Sequence, residues 1–154
     1  MPLEIERKYL LSNDDWRKLV QKKMAIQQGY LNTDKERTVR VRIKKDKGIL
    51  TIKGKTTGFA RLEYEYEIPL KDAQELLKLC QNLIEKTRFE VLYEGKLWEI
   101  DEFYGSNEGL ILAEIELESE DEAFVLPDWI DKEVSHDARY YNSSLSKKPF
   151  GTWS

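Results

Sequence analysis

The chain has 154 residues, the length of one ordinary domain, with 40% hydrophobic and 35% charged residues. Net charge is only −4, so the excess of charge is mixed in sign, which excludes the general basic character of a nucleic-acid binder. Eight tyrosines and four tryptophans exclude an acidic disordered chain.

In chain order, Leu3 to Leu11 alternates as a strand, and Ser12-Asn13-Asp14 offers N-caps for a short helix over Asp15 to Lys22. Gln27 to Thr33 reads as a strand, Arg37 to Lys45 as a cleanly alternating one, and Lys47-Gly48 as a turn into a hairpin partner over Ile49 to Lys55. After a loop around Gly58, Arg61 to Leu70 alternates again. Asp72 to Gln81 has helical spacing, with Ala73, Leu76, Leu77, Leu79 and Cys80 on one apolar stripe, which places Cys80 in the core. Ile84 to Tyr93 and Lys96 to Tyr104 form a second hairpin about Glu94-Gly95, and Leu110 to Glu118 is the last strand. Ser119 with Glu122 is a capping box for a short helix, Pro127 to Ile130 is a loop, and Asp137 to Leu145 is a last weak helix. No repeat or linker interrupts the chain, so residues 1–154 read as one domain. No apolar run reaches transmembrane length and no signal-peptide core opens the sequence, so a cytoplasmic setting without membrane contact is expected.

The polar faces of these strands carry the functional information, because residues two apart on a strand share a face. Glu4, Glu6 and Lys8 share one face; Arg40, Arg42 and Lys44 another; Lys53 and Lys55 a third. Glu63, Glu65 and Glu67 follow, then Lys86 with Arg88, Glu99 with Asp101, and Glu114, Glu116 and Glu118. Each face is nearly of one sign, and the sign changes from strand to strand. A wet antiparallel sheet with cross-strand salt bridges accounts for any one of them. The whole set is better explained by an α+β, mainly β architecture: a closed antiparallel barrel of about eight strands, charged faces inward and apolar faces packed outward against a few short helices. Such a lumen calls for a ligand that neutralises both walls, a polyanion for Arg and Lys and divalent cations for the carboxylates. One cysteine (Cys80) and one histidine (His136) exclude thiolate clusters and His-rich zinc sites, so the metal ligands are oxygens, pointing to magnesium, manganese or calcium. Gly54-Lys55-Thr56 lacks the upstream glycines of a phosphate-binding loop.

Glu4-x-Glu6-x-Lys8 resembles the signature of the CYTH superfamily, the triphosphate tunnel metalloenzymes. The likeness continues through Gln28-Gly29-Tyr30-Leu31, Val39-Arg40-Val41-Arg42, Thr51-Ile52-Lys53, Glu63-Tyr64-Glu65, Glu85-Lys86-Thr87-Arg88, Glu99-Ile100-Asp101, Glu114-Ile115-Glu116 and Arg139-Tyr140. The length and opening most resemble the compact bacterial inorganic triphosphatases. The resemblance implies an eight-stranded tunnel that hydrolyses inorganic triphosphate to pyrophosphate and phosphate with Mg2+ or Mn2+. It implies Lys8, Arg40, Arg42, Lys53, Lys55, Lys86, Arg88 and Arg139 on phosphoryl oxygens. Glu4, Glu6, Glu63, Glu65, Asp101, Glu114 and Glu116 would hold metal, and Tyr30 and Lys86 would serve the chemical step, with Tyr30 as proton acceptor. Ala138 stands where the family often has a further basic residue.

The alternatives within the same resemblance are nucleoside or thiamine triphosphate hydrolysis and cyclisation of ATP; a third is a barrel that binds polyphosphate without turnover. The expected partner is a small-molecule triphosphate, with no nucleic acid; the oligomeric state is open, a homodimer included. His136 is expected at the surface or as a cap, Trp98 and Trp129 in packing, and the tail from Lys147 either folded back on the barrel or loose.

Overall fold

A computed structural model of the protein describes residues 3–153. Nine strands, all paired antiparallel, run in chain order as β1 (Leu3–Leu11), β2 (Val20–Asn32), β3 (Arg37–Lys44), β4 (Lys47–Gly54), β5 (Ala60–Ile68), β6 (Ile84–Tyr93), β7 (Lys96–Phe103), β8 (Ile111–Glu116) and β9 (Ile130–Glu133). The sheet order β5-β4-β3-β2-β6-β7-β8-β1 closes on itself through a β5–β1 pairing, so eight strands make a barrel. β9 is the extra strand. It pairs with the far half of β1 (Tyr9 with Glu133, Leu11 with Ile130), on the edge whose near half (Leu3, Glu4 and Ile5) is taken by β5. Closing the sheet leaves no long free edge to recruit another chain.

Two two-residue hairpins fix register early. Lys45 and Asp46, and then Glu94 and Gly95, all have positive φ, the combination that matches the twist of the flanking strands. The sequence signal Lys47-Gly48 marks this turn two residues late: β4 already begins at Lys47.

The apolar faces point outward, as the alternation requires. α1 (Leu70–Leu77) buries Ala73 and Leu77 against Val41 of β3. A larger cluster joins Ile5, Tyr9, Val91, Trp98, Ile100, Ala113 and Ile115 on the strands, and Leu117 just past β8, to Trp16 and Trp129 from the segments that cover them. Trp98 meets Trp129 and Phe124 edge-on, so these rings pack rather than bind a ligand. α1 also covers Leu50 of β4 and Ile68 of β5, while farther along the outer face of these two strands Ile52, Leu62, Tyr64 and Tyr66 are exposed.

Four local expectations change. Only Asp15–Leu19 turns, as a 3-10 helix, and β2 starts at Val20 to run 13 residues. The Ser119 capping box does not form: Glu122 Oε1 accepts from the Glu118 N–H at 2.6 Å rather than from that of Ser119, and the Glu122 N–H donates to the Ser119 carbonyl at 3.2 Å rather than to its hydroxyl. No helix follows, because Phe124 and Trp129 are drawn onto Trp98 instead. α1 stops at Leu77, which leaves Leu79 70% exposed and Cys80 half-buried beyond the helix. Cys80 there abuts Gly29 so tightly that a Cβ on Gly29 would lie 2.7 Å from its Cβ and Sγ.

The last helix breaks into a 3-10 turn over Ala138–Tyr140 and α2 (Asn142–Lys147). Leu145 of α2 is fully buried among Ile84, Phe103, Leu110, Leu112 and Val134, with Phe150 and Trp153 packed alongside. The tail thus folds back on the barrel as far as Trp153; Ser154 lies outside the described residues. Ile84, Phe103 and Leu112 share the strand face of Lys86, Asp101 and Glu114, so this cluster plugs one end of the lumen.

Candidate active site: a charged cup

The barrel lumen is a cavity of about 320 Å³. Its floor lies toward the apolar plug, where Lys8, Lys86 and Glu114 are buried; at its mouth Glu65 and Glu116 are exposed. Strand alternation carries every charged face named from the sequence to this one space.

One wall is basic. Arg88 grips Asp101 with two parallel hydrogen bonds, Nε to Oδ1 at 2.8 Å and Nη2 to Oδ2 at 2.9 Å. Lys86 Nζ reaches the same carboxylate at 2.8 Å. Held by two cations, Asp101 lies far below the ordinary carboxylate range despite complete burial. Lys53 Nζ bridges Glu4 at 3.0 Å and Glu63 at 3.1 Å; Lys8 Nζ is 3.7 Å from Glu114, and Arg40 Nη2 is 3.6 Å from Glu65.

Three further lining cations, Arg42, Lys44 and Arg61, have no carboxylate within 4 Å among the described residues. Arg42 Nε donates to Gln28 Oε1 at 2.7 Å, while Arg61 donates to the Gly54 carbonyl at 3.0 Å and Thr38 Oγ1 at 3.3 Å. Burial, with Arg40 and Arg88 adjacent, pulls Arg42 down to about 9. Burial likewise pulls Lys86 down to about 7, against the pull of Asp101. A buried cation without a counter-charge is expensive, so this wall is built for an anion that arrives later.

The other wall is acidic. Glu6 and Glu116 are register partners on β1 and β8, and Glu99 and Glu114 are register partners on β7 and β8. Like charges directly opposite each other destabilise a sheet. Burial pushes Glu6 well above the carboxylate range, reinforced by Glu114 and then Glu4; burial also raises Glu116, with Glu4 and Glu63 adding to it. Neither Glu6 nor Glu116 has a cation within 4 Å among the described residues. No three carboxylates are drawn onto a single point among the described residues. The donor set nonetheless fits a hard divalent cation: it is all oxygen, and the uncompensated Glu6–Glu116 pair is what a dication would relieve.

A family model described as the CYTH domain matches residues 2–148. The chain belongs to the CYTH family. Among its CYTH-like relatives, an inorganic triphosphatase of Acetivibrio thermocellus is 51% identical over 152 residues, 97% of each chain. One from Nitrosomonas europaea is 35% identical over 148 residues, covering 93% of this chain and 96% of the relative. A crystal structure of an inorganic triphosphatase superposes with a TM-score of 0.67 at 33% identity, covering 93% of both chains.

This CYTH barrel gathers Glu4, Glu6, Lys8, Tyr30, Arg40, Arg42, Lys53, Glu63, Glu65, Lys86, Arg88, Glu114 and Glu116 around the cavity. Three other expected residues lie elsewhere. Lys55 falls one residue past the end of β4, where alternation no longer steers it, and is exposed outside the lining. Arg139 is exposed on the 3-10 turn before α2, donating to Asp137 at 3.0 and 2.7 Å and stacking over Tyr140 and Trp153. Asp101 lies behind the wall, 1% exposed, with its oxygens taken by Arg88 and Lys86. His136 is exposed and stacks on Phe59 with ring centroids 4.7 Å apart.

Four residues without a site role in the sequence reading also stand at this site: Arg61, Glu99 and Gln28, the last two named there only within a charged face or a motif, and Asn142. Arg61 has the parity of Glu63 and Glu65, and Glu99 that of Asp101, so both were signalled by alternation. Asn142 had no signal in the sequence, because α2 brings it in from the far end of the chain.

Proposed function

We propose that the protein hydrolyses inorganic triphosphate to pyrophosphate and phosphate with a divalent metal, Mg2+ or Mn2+. The observation that carries this reading is the pairing of unmet charges across one cavity. Among the described residues Arg42, Lys44 and Arg61 have no carboxylate within 4 Å on one side, and Glu6 and Glu116 have no cation within 4 Å on the other. A metal-chelated triphosphate answers both. The relatives that carry the name inorganic triphosphatase support the substrate class.

In this reading Glu6 and Glu116, assisted by Glu4 and Glu114, hold the metal, which when bound neutralises phosphoryl oxygens and orients the chain. Lys8, Arg40, Arg42, Lys53, Lys86 and Arg88 bind the remaining oxygens in line. Arg supplies paired donors in a fixed plane and Lys a compact charge, which suits a row of tetrahedral groups. Asp101 acts by aiming Arg88 and Lys86 rather than by touching the ligand. Arg61 and Lys44 extend the basic wall beyond the residues named from the sequence.

The phosphoryl transition state spreads negative charge over equatorial oxygens, and cations already fixed before the reaction stabilise it without reorganising. In this reading Tyr30, which lines the cavity close to the plug, accepts the proton of the attacking water, while Lys86 serves the step as a fixed charged donor.

The test is phosphate release from tripolyphosphate with Mg2+ or Mn2+, and again with chelator. Release that stops on chelation supports the reading; none, or release indifferent to chelator, defeats it. A panel of nucleoside and thiamine triphosphates with product identification ranks the substrates, and cyclic AMP as main product would overturn the choice of inorganic triphosphate.

A further inference from the structure

Two neutral amides stand among the charges of the cup. Gln28, fully buried on β2, accepts from Arg42 Nε at 2.7 Å and donates through Nε2 to Asn142 Oδ1 at 3.0 Å. The same Asn142 Oδ1 accepts from Lys86 Nζ at 2.9 Å. One pair of side-chain amides therefore spans the barrel wall from Arg42 on β3, across β2, to Lys86 on β6.

A carboxylate at either amide position could make the same bonds to the cations and would orient them as well. It would also cancel a charge, and Asp101 already does that for Arg88 and Lys86 together. An amide oxygen orients a cation and leaves its charge intact. Asn142 is also the first residue of α2, the helix whose Leu145 sits in the apolar plug, so seating the plug and aiming Lys86 go through one side chain.

We propose that Asn142 and Gln28 are positioning residues: by neutral hydrogen bonds they hold Lys86 and Arg42 in place without adding a further negative charge to the cup that must receive the phosphoryl oxygens. This rests on the triphosphatase reading for the identity of the anion, and the assay is chosen so that the two can fail separately.

Asn142→Asp keeps the oxygen that accepts from Lys86 and Gln28, keeps the shape, and adds one negative charge. The positioning role predicts that tripolyphosphate binding, measured by calorimetry with Mg2+, weakens by about tenfold or more. Asn142→Ala removes the acceptor without adding charge, so it should lower kcat more than it raises KM. A merely structural role predicts that Asn142→Ala, once folded, keeps the wild-type kcat. Gln28→Glu keeps the acceptor for Arg42, makes the same charge addition from another strand, and should also weaken binding. Thermal unfolding of each variant is run beside the wild type.

If Asn142→Asp and Gln28→Glu fold and bind tripolyphosphate like the wild type, the inference is overturned. Loss of the fold in both overturns it too, since that is the structural role. If one fails to fold, the other decides. Wild type that binds tripolyphosphate without turning it over defeats the triphosphatase reading and leaves this inference to be judged on binding; wild type that neither binds nor turns it over defeats both.

Discussion

Glu6→Gln should make the metal-free protein more stable and the metal-loaded protein less so. Glu6 is the register partner of Glu116 across β1 and β8, Glu114 and then Glu4 are the carboxylates that press on it most, and neither Glu6 nor Glu116 has a cation within 4 Å among the described residues. Two full charges at the ~5 Å spacing general to cross-strand partners would repel by about 3 kcal/mol at an effective dielectric near 20. Because Glu116 is exposed and Glu6 already leans toward its neutral form, the realised cost is smaller, about 1 kcal/mol. For a chain of 154 residues that raises Tm by roughly 2–4 °C in chelator.

In Mg2+ at a hundred times its Kd the wild type gains about 2.7 kcal/mol by mass action. The variant, with one carboxylate gone, gains less, so the order of stabilities reverses. The sign of the pH effect agrees. Folding raises the affinity of Glu6 for its proton, so the native state binds more protons than the unfolded one, and metal-free stability falls as pH climbs from the ordinary carboxylate value to the raised one. Glu6→Gln should flatten that slope. Scanning calorimetry of both proteins, in chelator and in Mg2+ from pH 4 to 8, reads all of this. A variant less stable than wild type in chelator, with the same gain from Mg2+, would refute the reasoning.

Other outcomes follow from the basic wall. Lys86→Ala should reduce kcat by about 10²–10³-fold, the usual loss of a preorganised charged donor, with circular dichroism unchanged. Arg61→Ala should raise KM for tripolyphosphate about tenfold through a lost charged hydrogen bond, whereas Lys55→Ala, on the exposed loop, should stay within about twofold. Burial pulls the Lys86 ammonium down to about 7 against the pull of Asp101, so above that value part of it is unprotonated before substrate arrives. Tripolyphosphate should recharge it, so binding takes up as much as about one proton more in wild type than in Lys86→Ala, a difference that shrinks below pH 6. Calorimetry in two buffers of different ionisation heat measures it.

The barrel was legible because charge on a strand is costly and alternation is strict. Arg40 and Arg42 against Val39 and Val41, or Glu63 and Glu65 against Leu62 and Tyr64, name the inner and outer faces without a structure. Register was not legible, so the Glu6–Glu116 pairing had to be seen. Val20, Met24 and Ile26 already alternate, but the cap signals before Asp15 outweighed them. β9 is four residues long and owes its strand form to pairing with β1 rather than to its own pattern. The family resemblance offers Asp101 as a metal ligand; the approach of Arg88 and Lys86 shows its oxygens occupied. Gln28 carried no weight because neutral residues do not stand out among charges.

The apolar plug behind Lys86 and Glu114 bears on traffic. A vessel stopped at one end has a single doorway, so for the proposed hydrolysis whatever enters past Glu65 and Glu116 must leave past them. Pyrophosphate, carrying most of the charge of the triphosphate it came from, departs against the same cations that drew the substrate in. Its departure sets a ceiling on turnover, and added pyrophosphate competes directly for the vacated cup. A triphosphate with a bulky group on one end has only one way to sit, with the bare end at the floor and the group left outside.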